Sequence, residues 1–224
     1  NMLISNYSGD ITLGRGITTT ATGSYTFGAI IGGNYKTETS DQATHTIRVE
    51  AGKYNNIIAG STLTNSTLTR SATHNVVIGN MRDTAISRNS KLTITGYVTM
   101  GENEFKCYPT GITTTANAAN KDYSVVTLYS GTFTGVNKFT KSTENSSIYL
   151  RSINGETDGK MKFEMFGGQV TGNIYGGASS TSYTSDIYNT MKFYGGKVIG
   201  DIFGQSANDT FNGGSNITFQ GIFA

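Results

Sequence analysis

The chain is poor in what a helical enzyme needs. Its 224 residues include no Trp, one Pro and one Cys, and only 14% are charged. Helices stay soluble by presenting charged faces, so this scarcity argues against a helical domain. Cys107 stands alone, which excludes a disulfide within the chain, and a lone thiol more commonly fills space than reacts. No apolar run approaches the roughly 20 residues of a membrane-spanning helix, and no membrane insertion is expected. The opening NMLISNYSGD carries neither the basic stretch nor the apolar core of a signal peptide. The net charge is +2 with Lys and Arg scattered, which leaves no electrostatic footprint for nucleic acid.

In place of charge the chain has 29 Gly and an abundance of Thr, Ser and Asn. Thr, Tyr, Val and Ile suit the pleated surface of strands, whereas Gly and Asn suit turns, so the composition predicts an all-β protein. Two segments show how the strands are organised. GGQVTGNIYGG (167–177) returns as GGKVIGDIFGQ (195–205), matching Met165 with Phe193, Val170 with Val198, Gly172 with Gly200 and Ile174 with Ile202. The same template extends upstream in phase. Phe133 and Gly135 fall under Val170 and Gly172, Tyr54 and Ile58 fall under Val170 and Ile174, Gly28 and Ile30 follow, and Gly9-Asp10-Ile11 matches Gly200-Asp201-Ile202. NVVIGN and KLTITGYVTMG are weaker members. The excess length falls in polar stretches such as STLTNSTLTRSATH and YPTGITTTANAANKDY, which are expected to be loops extruded from a constant frame.

Apolar residues alternate within each unit, as a strand requires. One unit is too small to bury itself. Units stacked at about 4.8 Å would join their Val, Ile, Phe and Met into internal columns, which predicts a β-solenoid of about eight irregular rungs, roughly 35 to 40 Å long. Glycine suits its corners, and Gly172 and Gly200 in the inward phase would leave room for neighbours such as Phe163 and Phe193. A β-sandwich also alternates, but has no reason to hold glycine in register at a 28-residue step. Residues 1–224 are expected to form a single solenoid segment, an internal piece of a longer chain with export signals outside it.

The GGxVxGxIYGG rungs with polar insertions resemble the right-handed parallel β-helix regions of large bacterial cell-surface proteins of adhesin type, from gut and other host-associated bacteria. Residues 163–177 and 191–204 carry most of the resemblance. It implies a right-handed coil, in line with the hand of parallel β connections, and an exported, extracellular or cell-surface segment that is structural or adhesive. The implied partners are a glycan or protein on a host or neighbouring cell, or further copies associating end to end or laterally.

β-Helices also carry polysaccharide lyases and hydrolases, which need paired carboxylates or an acidic metal cluster. Here the acids are dispersed. Asp10 and Asp201 share a rung position in the template but lie far apart in the chain, and Glu102 and Glu104 in GENEF form the one close pair in an expected strand. That pair would be a solvated face, a cation site or a catalytic pair. His45 and His74 are the only histidines, so no metal site is expected. No Gly-x-Ser-x-Gly elbow or phosphate-binding loop occurs, and neither catalytic residues nor a cofactor is expected. Five Asn-x-Ser/Thr sequons, at Asn6, Asn65, Asn145, Asn208 and Asn216, matter only in a host that glycosylates. The clusters Thr18–Thr20 and Thr113–Thr115 fall in loops of unequal length, unlike the flat lattice of an ice-binding face.

The candidate binding residues are aromatic. Tyr129, Phe166 and Tyr194 occupy equivalent out-of-phase positions, and Tyr175 and Phe203 form a second equivalent pair. Facing solvent, such ladders would be platforms for sugars or partner proteins; under folded-back loops they would be packing. The favoured reading is a non-catalytic structural and adhesive segment of an exported surface or filament-forming protein. The alternatives are a polysaccharide-active β-helix and a phage tail-spike or fibre shaft, which would trimerise.

Overall fold

In the computed structural model the described residues are 2–4, 10–16, 26–31, 44–59, 69–70, 73–83, 92–101, 106–107, 124–133, 146–152, 161–176, 188–204 and 214–220. Among them the chain is nearly all β and contains no α-helix, with one 3₁₀ turn at Met81–Asp83. In chain order the strands are β1 (Met2–Ile4), β2 (Ile11–Leu13), β3 (Thr26–Ile31), β4 (Thr44–Val49), β5 (Gly52–Ile58), β6 (Thr69–Arg70), β7 (Thr73–Ile78), β8 (Leu92–Ile94), β9 (Val98–Gly101) and β10 (Lys106–Cys107). They continue as β11 (Ser124–Leu128), β12 (Thr132–Phe133), β13 (Ser146–Ser152), β14 (Met161–Met165), β15 (Gln169–Thr171), β16 (Asn173–Tyr175), β17 (Tyr188–Phe193), β18 (Lys197–Ile199), β19 (Ile202–Phe203) and β20 (Gly214–Phe219).

The strands form two large sheets. A seven-stranded sheet runs β2-β4-β7-β11-β14-β17-β20, and an eleven-stranded sheet holds β1, β3, β5, β8, β9, β12, β13, β15, β16, β18 and β19. The short strands β6 and β10 pair with each other. Among the described residues every pairing is parallel, and the chain visits the two large sheets alternately, each return lying beside the previous visit. Parallel neighbours need a crossover between them, and here the other sheet supplies it.

Register follows the alternation. In the seven-stranded sheet Ile11, Ile47, Val76, Val126, Phe163, Met191 and Ile217 stand in one column, with Leu13, Val49, Ile78, Leu128, Met165, Phe193 and Phe219 in the next. In the eleven-stranded sheet Tyr54, Ile94, Phe133, Val170 and Val198 form one column, and Ile30, Ile57, Val98, Ile148, Ile174 and Ile202 another. Residues from both sheets meet in one large apolar core. Burying each such side chain contributes about 1.5 to 3 kcal/mol relative to leaving it in water.

The sequence template holds in part. Val170 pairs with Val198, Ile174 with Ile202, Met165 with Phe193 and Phe133 with Val170, as the repeat requires. Three expectations are corrected. Ile57, not Ile58, belongs to the Ile174 column, because the unbroken strand β5 has one residue fewer between Tyr54 and Ile57 than the glycine corner puts between Val170 and Ile174. Gly9-Asp10-Ile11 does not match Gly200-Asp201-Ile202, since Ile11 pairs with Ile47 in the other sheet. KLTITGYVTMG is a full member of the repeat, with Ile94 and Val98 in the Val170 and Ile174 columns. Gly135 lies outside the described residues.

Two devices hold the corners. Gly168 has φ +83°, a left-handed conformation that suits glycine, and a Cβ added there would stand 2.9 Å from the Gly131 carbonyl oxygen of the neighbouring turn. The second device is asparagine. Asn56 Oδ1 accepts the Tyr97 amide at 3.1 Å, and Asn173 Oδ1 accepts the Asp201 amide at 2.8 Å. These amides have the same place, one residue before Val98 and Ile202, so the side chain satisfies a backbone donor where the strand breaks.

Tyr54 is fully buried in the core and its hydroxyl donates to the Ala51 carbonyl at 2.6 Å. Burial pushes its pKa up to about 12. The fold therefore holds the neutral phenol, whereas the unfolded chain ionises near pH 10. Between about pH 10 and 12 the unfolded state releases a proton that the folded state keeps, so stability falls with rising pH by up to about 1.4 kcal/mol per unit. Below pH 10 this contribution is complete and flat. Urea unfolding at pH 9, 10 and 11 should show that loss, with a shallower slope in Tyr54→Phe; equal slopes would contradict it.

Candidate functional site

The ladder Tyr129–Phe166–Tyr194 is built by a repeated local sequence. Each ring follows the last residue of a strand in the seven-stranded sheet, at Leu128, Met165 and Phe193, where the chain leaves the ladder toward a glycine. Its backbone stays in the stack: the Tyr129, Phe166 and Tyr194 amides donate to the carbonyls of Ile78, Leu128 and Met165, each at 2.8 Å. Neighbouring rings are thereby held one strand spacing apart. Tyr129 and Phe166 stack with centroids 5.2 Å apart and planes 25° apart, and Phe166 and Tyr194 with 4.7 Å and 12°. All three residues are half-buried.

This geometry decides what the ladder can hold. A sugar stacks its C–H face on a free aromatic face, but both faces of Phe166 are occupied by the rings on either side. Among the described residues no further ring stacks on the outer side of Tyr129 or Tyr194, and the series also offers ring edges and two phenolic hydroxyls. The position below Tyr129 belongs to Gly79, whose amide makes the equivalent bond, and the position above Tyr194 belongs to Gln220.

For the second ladder the sequence leaves both solvent-facing platform and covered packing open, and the structure places its rings as follows. Tyr175 stacks between Tyr149 at 5.4 Å and Phe203 at 4.8 Å, with planes 6° and 5° apart, and Tyr97 meets Tyr149 edge-on at 6.4 Å. Tyr97, Tyr149 and Tyr175 are 5% exposed or less, and they form a second apolar cluster with Ile58 against which Phe203 packs. Tyr175 is therefore packing, and Phe203 is half-buried at the end of the series. Tyr149 was legible in the sequence, because Ile148-Tyr149 repeats the apolar-aromatic pairs Ile174-Tyr175 and Ile202-Phe203 with which it aligns.

Among the described residues the acidic side chains do not converge. Asp10 Oδ1 accepts the Thr46 amide at 2.8 Å at the start of the seven-stranded sheet, while Asp201 sits at a corner of the other sheet. Asp83 pairs with Arg15 and Glu164 with Lys162, the latter at 2.8 Å. These pairs are partly solvated and contribute at most about 1 kcal/mol. Among the described residues no group of three His, Cys, Asp or Glu is placed to hold a metal ion. The strands β4 and β7 bring the backbones of His45 and His74 into register, a juxtaposition that 28 intervening residues conceal in the sequence. Glu102, Glu104, the sequons at Asn6, Asn65, Asn145 and Asn208, and both Thr clusters lie outside the described residues, as do the side chains of Cys107 and Asn216. No described helix is long and apolar enough to cross a membrane. No known protein family, curated protein or solved structure matches the chain.

Proposed function

We propose that the chain is a right-handed parallel β-helix, with about seven coils among its described residues, that serves as a non-catalytic structural and adhesive segment of an exported bacterial surface or filament-forming protein. The observation that carries the architectural half is the strict alternation between two parallel sheets, with columns running unbroken through both. A chain that coils in this way spends its apolar residues on its neighbours and leaves one outward side chain per step for recognition. Export and attachment rest on the resemblance of the GGxVxGxIYGG rungs to surface β-helices. Cell-surface glycans or proteins are the proposed partners, met at the end ring of the Tyr129–Phe166–Tyr194 ladder.

The test is a glycan-array screen with reducing-sugar release assayed on every hit. The reading expects binding without release. It also expects Tyr194→Ala, which removes the end ring of the series, to weaken binding about 3- to 10-fold, the scale of one aromatic contact. Phe166→Leu, at a ring covered on both faces, should change affinity less than Tyr194→Ala. Release of reducing ends would overturn the non-catalytic reading, and an array without hits would overturn glycan adhesion.

A further inference from the structure

We propose that Glu50, Gly79 and Tyr129 form a notch that takes the guanidinium of an arginine side chain from a partner protein. The inference rests on the reading of the Tyr129–Phe166–Tyr194 ladder as a recognition surface, and adds the charge and shape of the group taken at its Tyr129 end.

The three residues hold the same place on consecutive strands, each directly after the last residue of β4, β7 or β11. Their amides donate to the carbonyls of Leu13, Val49 and Ile78, each at 2.8 Å. The backbones are therefore stacked one strand spacing apart, about 4.8 Å. Glu50 and Tyr129 stand on levels about 10 Å apart, and the level between them belongs to a residue with no side chain. The corner requires that glycine. Gly79 has φ +79°, and a Cβ there would overlap Ser130 Oγ, which is buried and accepts the Asn80 amide at 3.1 Å. The residues that follow do not bury themselves against this level: Met81 is 69% exposed, Arg82 is exposed, and Asp83 pairs with Arg15.

Both walls of the notch have the same sign. Phe166 covers one face of the Tyr129 ring at 5.2 Å, so the notch meets the other face, and an aromatic face is the negative part of the ring quadrupole. Glu50 places a carboxylate at the opposite wall. Both residues are half-buried, so water reaches them and a ligand group can follow. Among the described residues no cation or hydrogen-bond donor lies on the Glu50 carboxylate and no ring other than Phe166 lies on Tyr129, whereas Asp83 and Glu164 are paired. A phosphate or carboxylate would be repelled by both walls, and a neutral sugar would stack on the ring but bring no charge to Glu50. A cation at the middle level lies about 5 Å from each wall, inside the roughly 6 Å of a cation–π contact. Guanidinium suits the notch better than ammonium. It is planar, stacks on an aromatic face, and offers a fork of N–H donors that a carboxylate accepts two at a time.

The experiment is an NMR titration of the full 224-residue chain, labelled in its tyrosine rings, with N-acetylarginine amide at low salt; Tyr129→Phe assigns the Tyr129 signals. The proposal expects saturable shifts at Tyr129 with a Kd on the order of 1 to 10 mM, the scale of one side-chain contact. N-acetylcitrulline amide, which has a similar shape without the charge, should bind about 10-fold more weakly, and the lysine amide about 3-fold more weakly. Glu50→Gln keeps the size of the side chain and should weaken arginine binding about fivefold with circular dichroism unchanged, as one partly solvated ion pair would. Tyr129→Ala should weaken it by a similar factor, and if that variant does not fold, Glu50→Gln decides alone. Asp201→Asn removes an exposed carboxylate at a corner of the other sheet and should bind like the parent. Shifts that do not saturate, equal affinity for citrulline, or equal effects of Glu50→Gln and Asp201→Asn would overturn the notch. The glycan array reads Tyr194 separately, so either reading can fail while the other stands.

Discussion

Phe163→Ala is expected to lower the unfolding free energy by about 3 to 5 kcal/mol, the cost of removing a large aromatic ring from a core that collapses only partly. The side chain is fully buried, stands between Val126 and Met191 in its column, and lies tilted against Phe193 with centroids 5.5 Å apart. It has neighbours in the strands on both sides of it. Phe219→Ala removes the same ring in the adjacent column at the exposed edge, where Phe193 is its stacking partner at 5.0 Å, and should cost much less, about 1 kcal/mol. Urea unfolding at constant m-value reads the difference. Equal losses would mean that the column does not gain its stability from neighbours on both sides.

The second large effect is expected at a corner. Gly168→Ala forces a Cβ onto a backbone held at φ +83° and against the Gly131 carbonyl oxygen at 2.9 Å, where the contact is main chain on both sides and neither can rotate away. Left-handed strain costs about 1 to 3 kcal/mol, and displacing the stacked corner adds to it. A total of about 2 to 4 kcal/mol is expected. Gly14→Ala is the control, since a Cβ there meets nothing within 4 Å, and its effect should stay within about 0.5 kcal/mol. A neutral Gly168→Ala would show that glycine recurs at that corner for a reason other than backbone conformation.

How much of this was legible in the sequence depends on where the chain is regular. From Met161 to Phe203 paired strands follow each other at a step of 28 residues, seen directly in the bond from the Asp201 amide to Asn173, and their columns could be read residue by residue. Upstream the step lengthens to 41 residues between Asn56 and Tyr97 and to 50 between Asn80 and Ser130, and a fixed template loses its place. The slip from Ile57 to Ile58 shows the sensitivity. With a side-chain period of two, one residue fewer between Tyr54 and Ile57 moves the next residue to the opposite face. The Gly-Asp-Ile tripeptide misled for a different reason, since a three-residue strand carries too little pattern to say which of two sheets it enters. The aromatic ladders were legible as equivalences but not as surfaces. Spacing put Tyr175 and Phe203 in one column, and only packing against Tyr97 and Tyr149 decides that this column is enclosed.

The coil itself is tested most directly by spin-label distances along one outward column. Thr12, Arg48, Thr127, Lys192 and Thr218 share register in the seven-stranded sheet, and Cys107, the lone cysteine, can be replaced by Ser to leave a clean background. With one strand spacing of about 4.8 Å per coil, label pairs should give about 24 Å for Arg48 with Thr218 and about 29 Å for Thr12 with Thr218, before the reach of the labels is added. Distances that climb by one spacing per coil are the predicted result. A Thr12–Thr218 distance no longer than Arg48–Thr218, as strands folded back into a sandwich would give, would contradict the account.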